Sequence, residues 1–136
     1  MEKKNYKLLS ITLINSEFNR ASNINFESEE LKNHVDIDVE DSIVDDKLII
    51  ALSLTVEGKI DKEVQYRFFN KFVGLFEIGD TNDLPVDKFS KANGPAIIFP
   101  FIREHVATTS LKANISPILL PPINFIKLSQ EKKAEP

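Results

Sequence analysis

Cysteine is absent from the 136 residues, glycine occurs four times and histidine twice. Without cysteine there is no disulfide framework, no thiol nucleophile and no thiolate metal ligand, which fits a reducing compartment. The glycines, at 58, 74, 79 and 94, are too scattered to cradle a phosphate, and no Gly-Lys-Ser/Thr follows any of them. Nucleotide use is therefore not expected. No Gly-x-Ser-x-Gly elbow is present, and a Cys–His pair is impossible. Basic residues are also in short supply: seventeen against twenty-one acidic ones, a formal charge of -4 and a pI near 5.2. A surface for a phosphate backbone needs the opposite balance, so nucleic acid is not an expected partner. No apolar run is long enough to cross a bilayer. The basic start, Met1 to Lys7, is followed by Leu8–Ile14, which Ser10 and Thr12 interrupt and which has no small-residue cleavage site before Glu17. A signal peptide and membrane insertion are not expected, and a soluble, cytoplasmic protein is.

What remains is 42% hydrophobic and 28% charged, the balance of a globular chain able to bury a core without staples. One domain is expected over 1–136, with about 129–136 as a polar tail. Residues 6–19 read as a first strand, its Leu8, Leu9, Ile11, Leu13 and Ile14 dense enough to be covered on both faces. Residues 19–32 read as a polar loop. From His34 to Glu40 the alternation is strict, with Val35, Ile37 and Val39 on one side and His34, Asp36, Asp38 and Glu40 on the other. Leu48, Ile50, Leu52, Leu54 and Val56 give a third strand, and Ile60, Val64, Tyr66 and Phe68 a fourth, with a turn expected at Glu57-Gly58-Lys59. The pattern breaks near Gly74, which suggests a bulge or bend. Leu84–Ala92 reads as a short helix or turn, and Pro95 to about Ala113 as a longer helix, kinked or started at Pro100. Asn124 is an expected N-cap for a last helix from Phe125 to about Lys133.

Between the two helices lies Ile115-Ser-Pro-Ile-Leu-Leu-Pro-Pro-Ile123, apolar and carrying three prolines. It can be neither a central strand nor a helix interior. An apolar loop either lids the core of its own chain or offers apolar surface to a partner.

Two groups of residues invite a chemical reading. His34, Asp36, Asp38 and Glu40 place an imidazole and carboxylates on one strand face, a set that suits a hard metal ion. A solvated outward face has the same pattern, and neighbours two apart along a strand are ~7 Å from each other, too far to share an ion without bending. For His105, after Arg103-Glu104, the sequence displays neither the orienting carboxylate nor the pocket that a general base needs, and it reads as a buried, hydrogen-bonded or interfacial histidine. No catalytic, metal or cofactor site is expected.

The segment Asn93-Gly-Pro-Ala-Ile-Ile-Phe-Pro-Phe-Ile-Arg-Glu-His105 resembles the SecB protein-export chaperones. That family carries Pro, an aliphatic pair, Phe-Pro-aromatic and Arg-Glu, here Pro95, Ile97-Ile98, Phe99-Pro100-Phe101 and Arg103-Glu104. A proline-rich apolar crossover ending in Pro-aliphatic-Asn-Phe follows a helix of similar length, here Pro117 to Phe125. Val35, Ile37 and Val39, the Leu48–Phe72 hairpin and Gly74-Leu75-Phe76 are collinear with the family's later strands.

The resemblance implies an α+β fold, a four-stranded antiparallel sheet with C-terminal helices packed on one face, assembled as a dimer of dimers. It implies an ATP-independent holdase for unfolded preproteins, with no cofactor and no enzymatic activity. Its client groove would use Val35, Ile37, Val39, Leu119, Leu120, Ile123 and Phe125, and Leu120→Asp would weaken holding while leaving the fold. Subunit contacts would involve the long helix at Phe101, His105 and Val106. Export members present acidic residues on the first and fourth strands, where the SecA motor docks. Those positions fall here near Asn15, Asn19, Arg67 and Phe69, with Glu17 close by, so the acidic docking face is eroded and SecA is a candidate partner only. Two alternatives stand beside export: a solitary SecB-like chaperone devoted to one partner, such as a toxin–antitoxin antitoxin, and a small enzyme or ligand-binding domain using the His34/Asp36/Asp38 face.

Overall fold

The computed structural model describes residues 6–79 and 84–134; the basic start as far as Asn5 and the last two residues of the expected tail lie outside the described residues. Four strands, β1 (Tyr6–Arg20), β2 (Leu31–Val44), β3 (Lys47–Ile60) and β4 (Glu63–Ile78), form one antiparallel sheet in the order β1-β4-β3-β2. The chain leaves β1 at one edge, crosses to β2 at the other, and returns through two hairpins.

Both hairpins turn on two residues. Val44 pairs with Lys47 around Asp45-Asp46, and Ile60 pairs with Glu63 around Asp61-Lys62. Asp45 (φ 58) and Asp61 (φ 57) are left-handed, a conformation that aspartate reaches more readily than most side chains. The turn expected at Glu57-Gly58-Lys59 is thus displaced: these residues remain in β3, and Ile60 ends that strand rather than opening the next. Glycine occupies position 58 because the Tyr66 ring lies against it; a Cβ there would come within 2.1 Å of Tyr66 Cζ. The bend expected at Gly74 is also absent. β4 runs unbroken, and Gly74 pairs with Ile11 and Ile50 on either side. Its missing side chain admits the long helix instead, since a Cβ would lie 2.8 Å from Ile98 Cδ1. The irregularities fall on β1, between Leu8 and Ser10 and between Leu13 and Asn15, and next to Gly58. β1 is an edge strand whose Leu8, Leu9, Leu13 and Ile14 are exposed, so the expectation that both its faces are covered fails within this chain.

One face of the sheet carries the helices. Helical structure starts after Pro85 and continues through α1 (Val86–Lys88), a π-helical turn (Phe89–Asn93) and α2 (Gly94–Lys112). The two expected helices are therefore one path, and Pro100 does not begin it. Pro95 is in the first turn of α2, where a missing N–H costs nothing. Pro100 lies on the solvent side, where water can take the carbonyl of Ala96 that it leaves unpaired. Ile98, Ile102, Val106 and Ser110, four apart, form the buried line of α2. They meet Leu48, Ile50, Leu52, Leu54 and Val56 of β3 and Tyr66, Phe68, Phe72 and Phe76 of β4 in one core. α3 (Phe125–Ala134) completes the layer and carries residues 129–134 as helix.

The crossover between α2 and α3 is pinned at both ends. Asn114 takes a left-handed conformation (φ 55), its N–H donates to Leu111 O, and Ile115 N–H donates to Ser110 O at 3.0 Å. This is a Schellman closure of α2. At the other end Asn124 Oδ1 accepts from Lys127 N–H at 3.0 Å, so Asn124 caps α3 as its sequence position suggests. Between these anchors Ile115, Ile118 and Leu120 enter the core, while Leu119 points outward and is 82% exposed. The segment is both a lid and an apolar surface, by alternation.

Candidate functional site

The helices do not cover the sheet evenly. α2 lies over β3 and β4, and α3 packs on the π-helical turn, which leaves a trough beside β2. One part, about 260 Å³, is walled by Val39 and Asp41 of β2, Ser90 and Lys91 of the π-helical turn, and Phe125 and Leu128 of α3. The adjoining part, about 420 Å³, shares Asp41 and Ser90 and adds Ile43, Leu48, Val86 and Asp87. The helical path next to it is tied to β1. The Tyr6 hydroxyl donates to Leu84 O at 2.6 Å, and the Tyr6 ring stacks on Phe89 with centroids 3.9 Å apart. Burial, and secondarily the Asp87 carboxylate, raises the Tyr6 phenol above its ordinary value, so it stays a donor there.

Of the expected groove residues, Val39 and Phe125 meet in this trough. Leu119 and Leu120 line a separate depression of about 280 Å³ behind α2, with Pro100, Arg103 and Ile118. The single groove expected from the sequence is therefore two depressions in this arrangement. Ile37, Leu120 and Phe125 are core residues, the last two each 4% exposed, and Phe125 packs edge-on to Phe99 with centroids 5.7 Å apart. Leu120→Asp would place a charge in that core, so it cannot test the groove with the fold intact. Val35 is 43% exposed on the same face of β2, and Ile123 is half-buried against the core. Asp41, Ser90, Lys91 and Leu128 escaped the sequence reading. Leu128, three residues beyond Phe125 on a short helix, is the one that helical spacing could have flagged.

The expected subunit contact divides as well. Phe101 is exposed on the outer side of α2, with Ile97 and Leu111 also exposed on that helix. Val106 is fully buried in the core of its own chain, because it continues the Ile98–Ile102 line, and so cannot lie at a surface. His105 is half-buried and engaged internally. Its Nε2 lies 2.8 Å from Ser16 Oγ, Ser16 donates to Asn70 Oδ1 at 3.2 Å, and the imidazole meets Phe72 edge-on.

On the helix-free face the expected docking residues do converge. Asn15 pairs with Lys71, Glu17 with Phe69 and Asn19 with Arg67 across β1 and β4. Asn15 Nδ2 donates to Glu17 at 3.1 Å, Arg67 lies 3.9 Å from Glu57, and its guanidinium stands 5.9 Å from the centre of the Phe69 ring. Such exposed pairs contribute little to stability. They leave a patch of mixed charge. His34, Asp36, Asp38 and Glu40 share the same face of the sheet, opposite Glu57, Thr55, Ser53 and Ala51 of β3. Among the described residues no three His, Asp or Glu side chains are grouped to hold a metal ion. Among those residues no helix is long and apolar enough to cross a membrane.

Comparison with known proteins bears on this arrangement. A family profile described as preprotein translocase subunit SecB matches residues 9–136. The protein-export protein SecB of Anaplasma phagocytophilum is 29% identical over 89 residues, which cover 63% of this chain and 56% of that protein. The protein-export protein SecB of Burkholderia lata is 29% identical over 102 residues, 74% of this chain and 64% of that one. The chain thus matches about three fifths of the length of these relatives. Among solved structures it shares its fold with the Mycobacterium tuberculosis SecB-like chaperone in complex with a ChAD peptide from the HigA1 antitoxin. The TM-score is 0.77 at 12% identity, covering 88% of this chain and 91% of the other.

Proposed function

This chain belongs to the SecB family, and from that membership we propose that it is a cytoplasmic, non-enzymatic holdase that keeps unfolded client proteins competent for export. The observation that carries the reading is the open trough beside β2, where Val39, Leu128 and Ile43 offer apolar walls next to the largely buried Phe125. An unfolded segment placed there buries side chains worth ~1.5–3 kcal/mol each. Ordering that segment cancels much of the gain. Firm holding then needs several troughs on one client, which assembly of several chains supplies. Two apolar surfaces suit such assembly: the β1 edge with Leu8, Leu9, Leu13 and Ile14, and the outer side of α2 with Ile97, Phe101 and Leu111. A dimer of dimers follows if each closes with its own two-fold symmetry. Folded proteins escape because they do not present such segments for long.

A second reading has its own support. The β1–β4 patch carries Asn15, Asn19, Arg67 and Phe69 where export members carry acidic residues, with Glu17 and Glu57 as its carboxylates. A chaperone of this family with that patch suits a dedicated partner, such as an antitoxin, better than delivery to SecA. The two readings separate in a pull-down of the purified protein against SecA and a permanently unfolded secretory protein, without nucleotide. Capture of both supports export, and capture of the unfolded protein alone supports the dedicated chaperone. Capture of neither removes the holdase reading and leaves the fold.

A further inference from the structure

Arg20, the last residue of β1, reaches out of the sheet and ties together parts of the chain that are far apart in sequence. Its Nη1 donates to Ala113 O at 2.5 Å, its Nε to Ala21 O at 2.8 Å and its Nη2 to Ser22 O at 3.3 Å. The ring of Phe26, from the loop that leaves β1, stands 5.8 Å from the guanidinium carbon. Ala113 is the residue on which α2 closes, one position before the left-handed Asn114. Helix ends leave carbonyls without an intrahelical donor. Here Thr109, Ser110 and Leu111 O are taken by Ala113, Ile115 and Asn114 N–H, and Ala113 O is taken by Arg20. The cation also sits at the negative end of the α2 dipole. Immediately beyond, Ile115, Ile118 and Leu120 seat the crossover in the core while Leu119 stands outside.

We propose that Arg20 is a positioning residue for client holding: it fixes the root of the crossover to the sheet and so sets where the apolar residues of that segment stand. The inference rests on the holdase reading. Its geometry is specific to a guanidinium. Three carbonyls lie around one planar fork, and the flat cation also faces an aromatic ring. A lysine ammonium on a flexible stem offers a point charge and cannot reproduce that set. Nor is Arg20 a groove residue. It works from the end of β1, through Ala113, on a segment that carries the apolar side chains.

The test compares wild type, Arg20→Ala, Arg20→Lys and Lys62→Ala, the last a charge-matched control in the exposed β3–β4 turn. Two quantities are read at once: dissociation of reduced, carboxymethylated α-lactalbumin, and hydrogen exchange of backbone amides. Arg20→Ala and Arg20→Lys are both expected to release the client about tenfold faster, in line with losing a charged hydrogen-bond set. The amides of Asn114, Ile115 and Leu128 should exchange faster in both, while β3 and β4 amides keep wild-type protection. Lys62→Ala should match wild type in both readouts. Release at the wild-type rate from both Arg20 variants overturns the proposal, as does faster exchange spread evenly through sheet and crossover, which would mark Arg20 as a general stabiliser. Full retention by Arg20→Lys would also overturn it, because charge alone would then suffice. If wild type itself fails to capture the unfolded probe, the holdase reading falls first and the role of Arg20 in holding falls with it.

Discussion

β2 and β3 pair from Leu31–Ile60 to Val44–Lys47, and both alternate apolar with polar residues, yet they occupy different environments. On the helix side of β3, Leu48, Ile50, Leu52, Leu54 and Val56 are all sealed in the core. On β2 the partners of Val56, Leu54 and Leu52 are Val35, Ile37 and Val39, and only Ile37 is buried. The contrast comes from coverage. α2 spans the two central strands with its Ile98–Ile102–Val106 line, whereas beside β2 the described residues of α1, the π-helical turn and α3 stop short of closing over the strand. One strand was built to hold the domain together, and its neighbour was left with apolar surface to spare. The proposed holding of unfolded chains would draw on that division, because a sealed face cannot bind and an open one cannot stabilise.

The contrast is sharpest where truncation costs most. Leu52→Ala should lower unfolding free energy by ~2–5 kcal/mol in urea titrations, the usual result of a cavity at a closed site; a loss below ~1 kcal/mol would mean that β3 is not sealed. Gly58→Ala should cost ~1–3 kcal/mol, because the new Cβ overlaps the Tyr66 ring. The near-ultraviolet tyrosine signal should change with it, and an unaltered signal would show that the ring moves freely. Asn124→Ala should remove ~1 kcal/mol by uncapping α3. Its effect on client retention should be larger than on melting temperature, since α3 walls the trough. Leu119→Asp and Val35→Ser should each shift stability by no more than ~0.5 kcal/mol, being exposed. Val35→Ser or Leu119→Asp leaving aggregation suppression untouched would exclude that side chain from client contact, whereas lost suppression at wild-type stability would place it there.

Much of this was legible in particular residues. Strict alternation marked His34–Glu40 as a strand, the apolar face of Leu48–Val56 marked another, and Asn124 announced the last helix, because period and capping are local properties. Glycine misled twice. At 58 and 74 it answers to a ring and to a helix approaching from far along the chain, and local pattern has no record of either. The dense apolar run of β1 suggested burial on both faces, but an edge strand is covered only where something packs on it: Tyr6, Ile11 and Phe18 meet the core, while Leu8, Leu9, Leu13 and Ile14 stay exposed. Val106 and Phe101 were paired by helical proximity, although a rotation of five residues puts them on different sides of α2.

Composition and patterning alone marked local features: no thiols, no nucleotide loop, a core-forming alternation, and a proline-broken apolar crossover after a long helix, while the fold class and the chaperone reading came with the resemblance to the SecB family. These follow from side-chain chemistry and from spacing along one segment, so they need no partner elsewhere in the chain. Tertiary structure decided which alternating strand is sealed and which is open, which crossover residues turn inward, and that Arg20 meets the carbonyl of Ala113. Each of these depends on which segment packs on which, and the burial of a side chain is a property of the surface laid over it rather than of the residue itself.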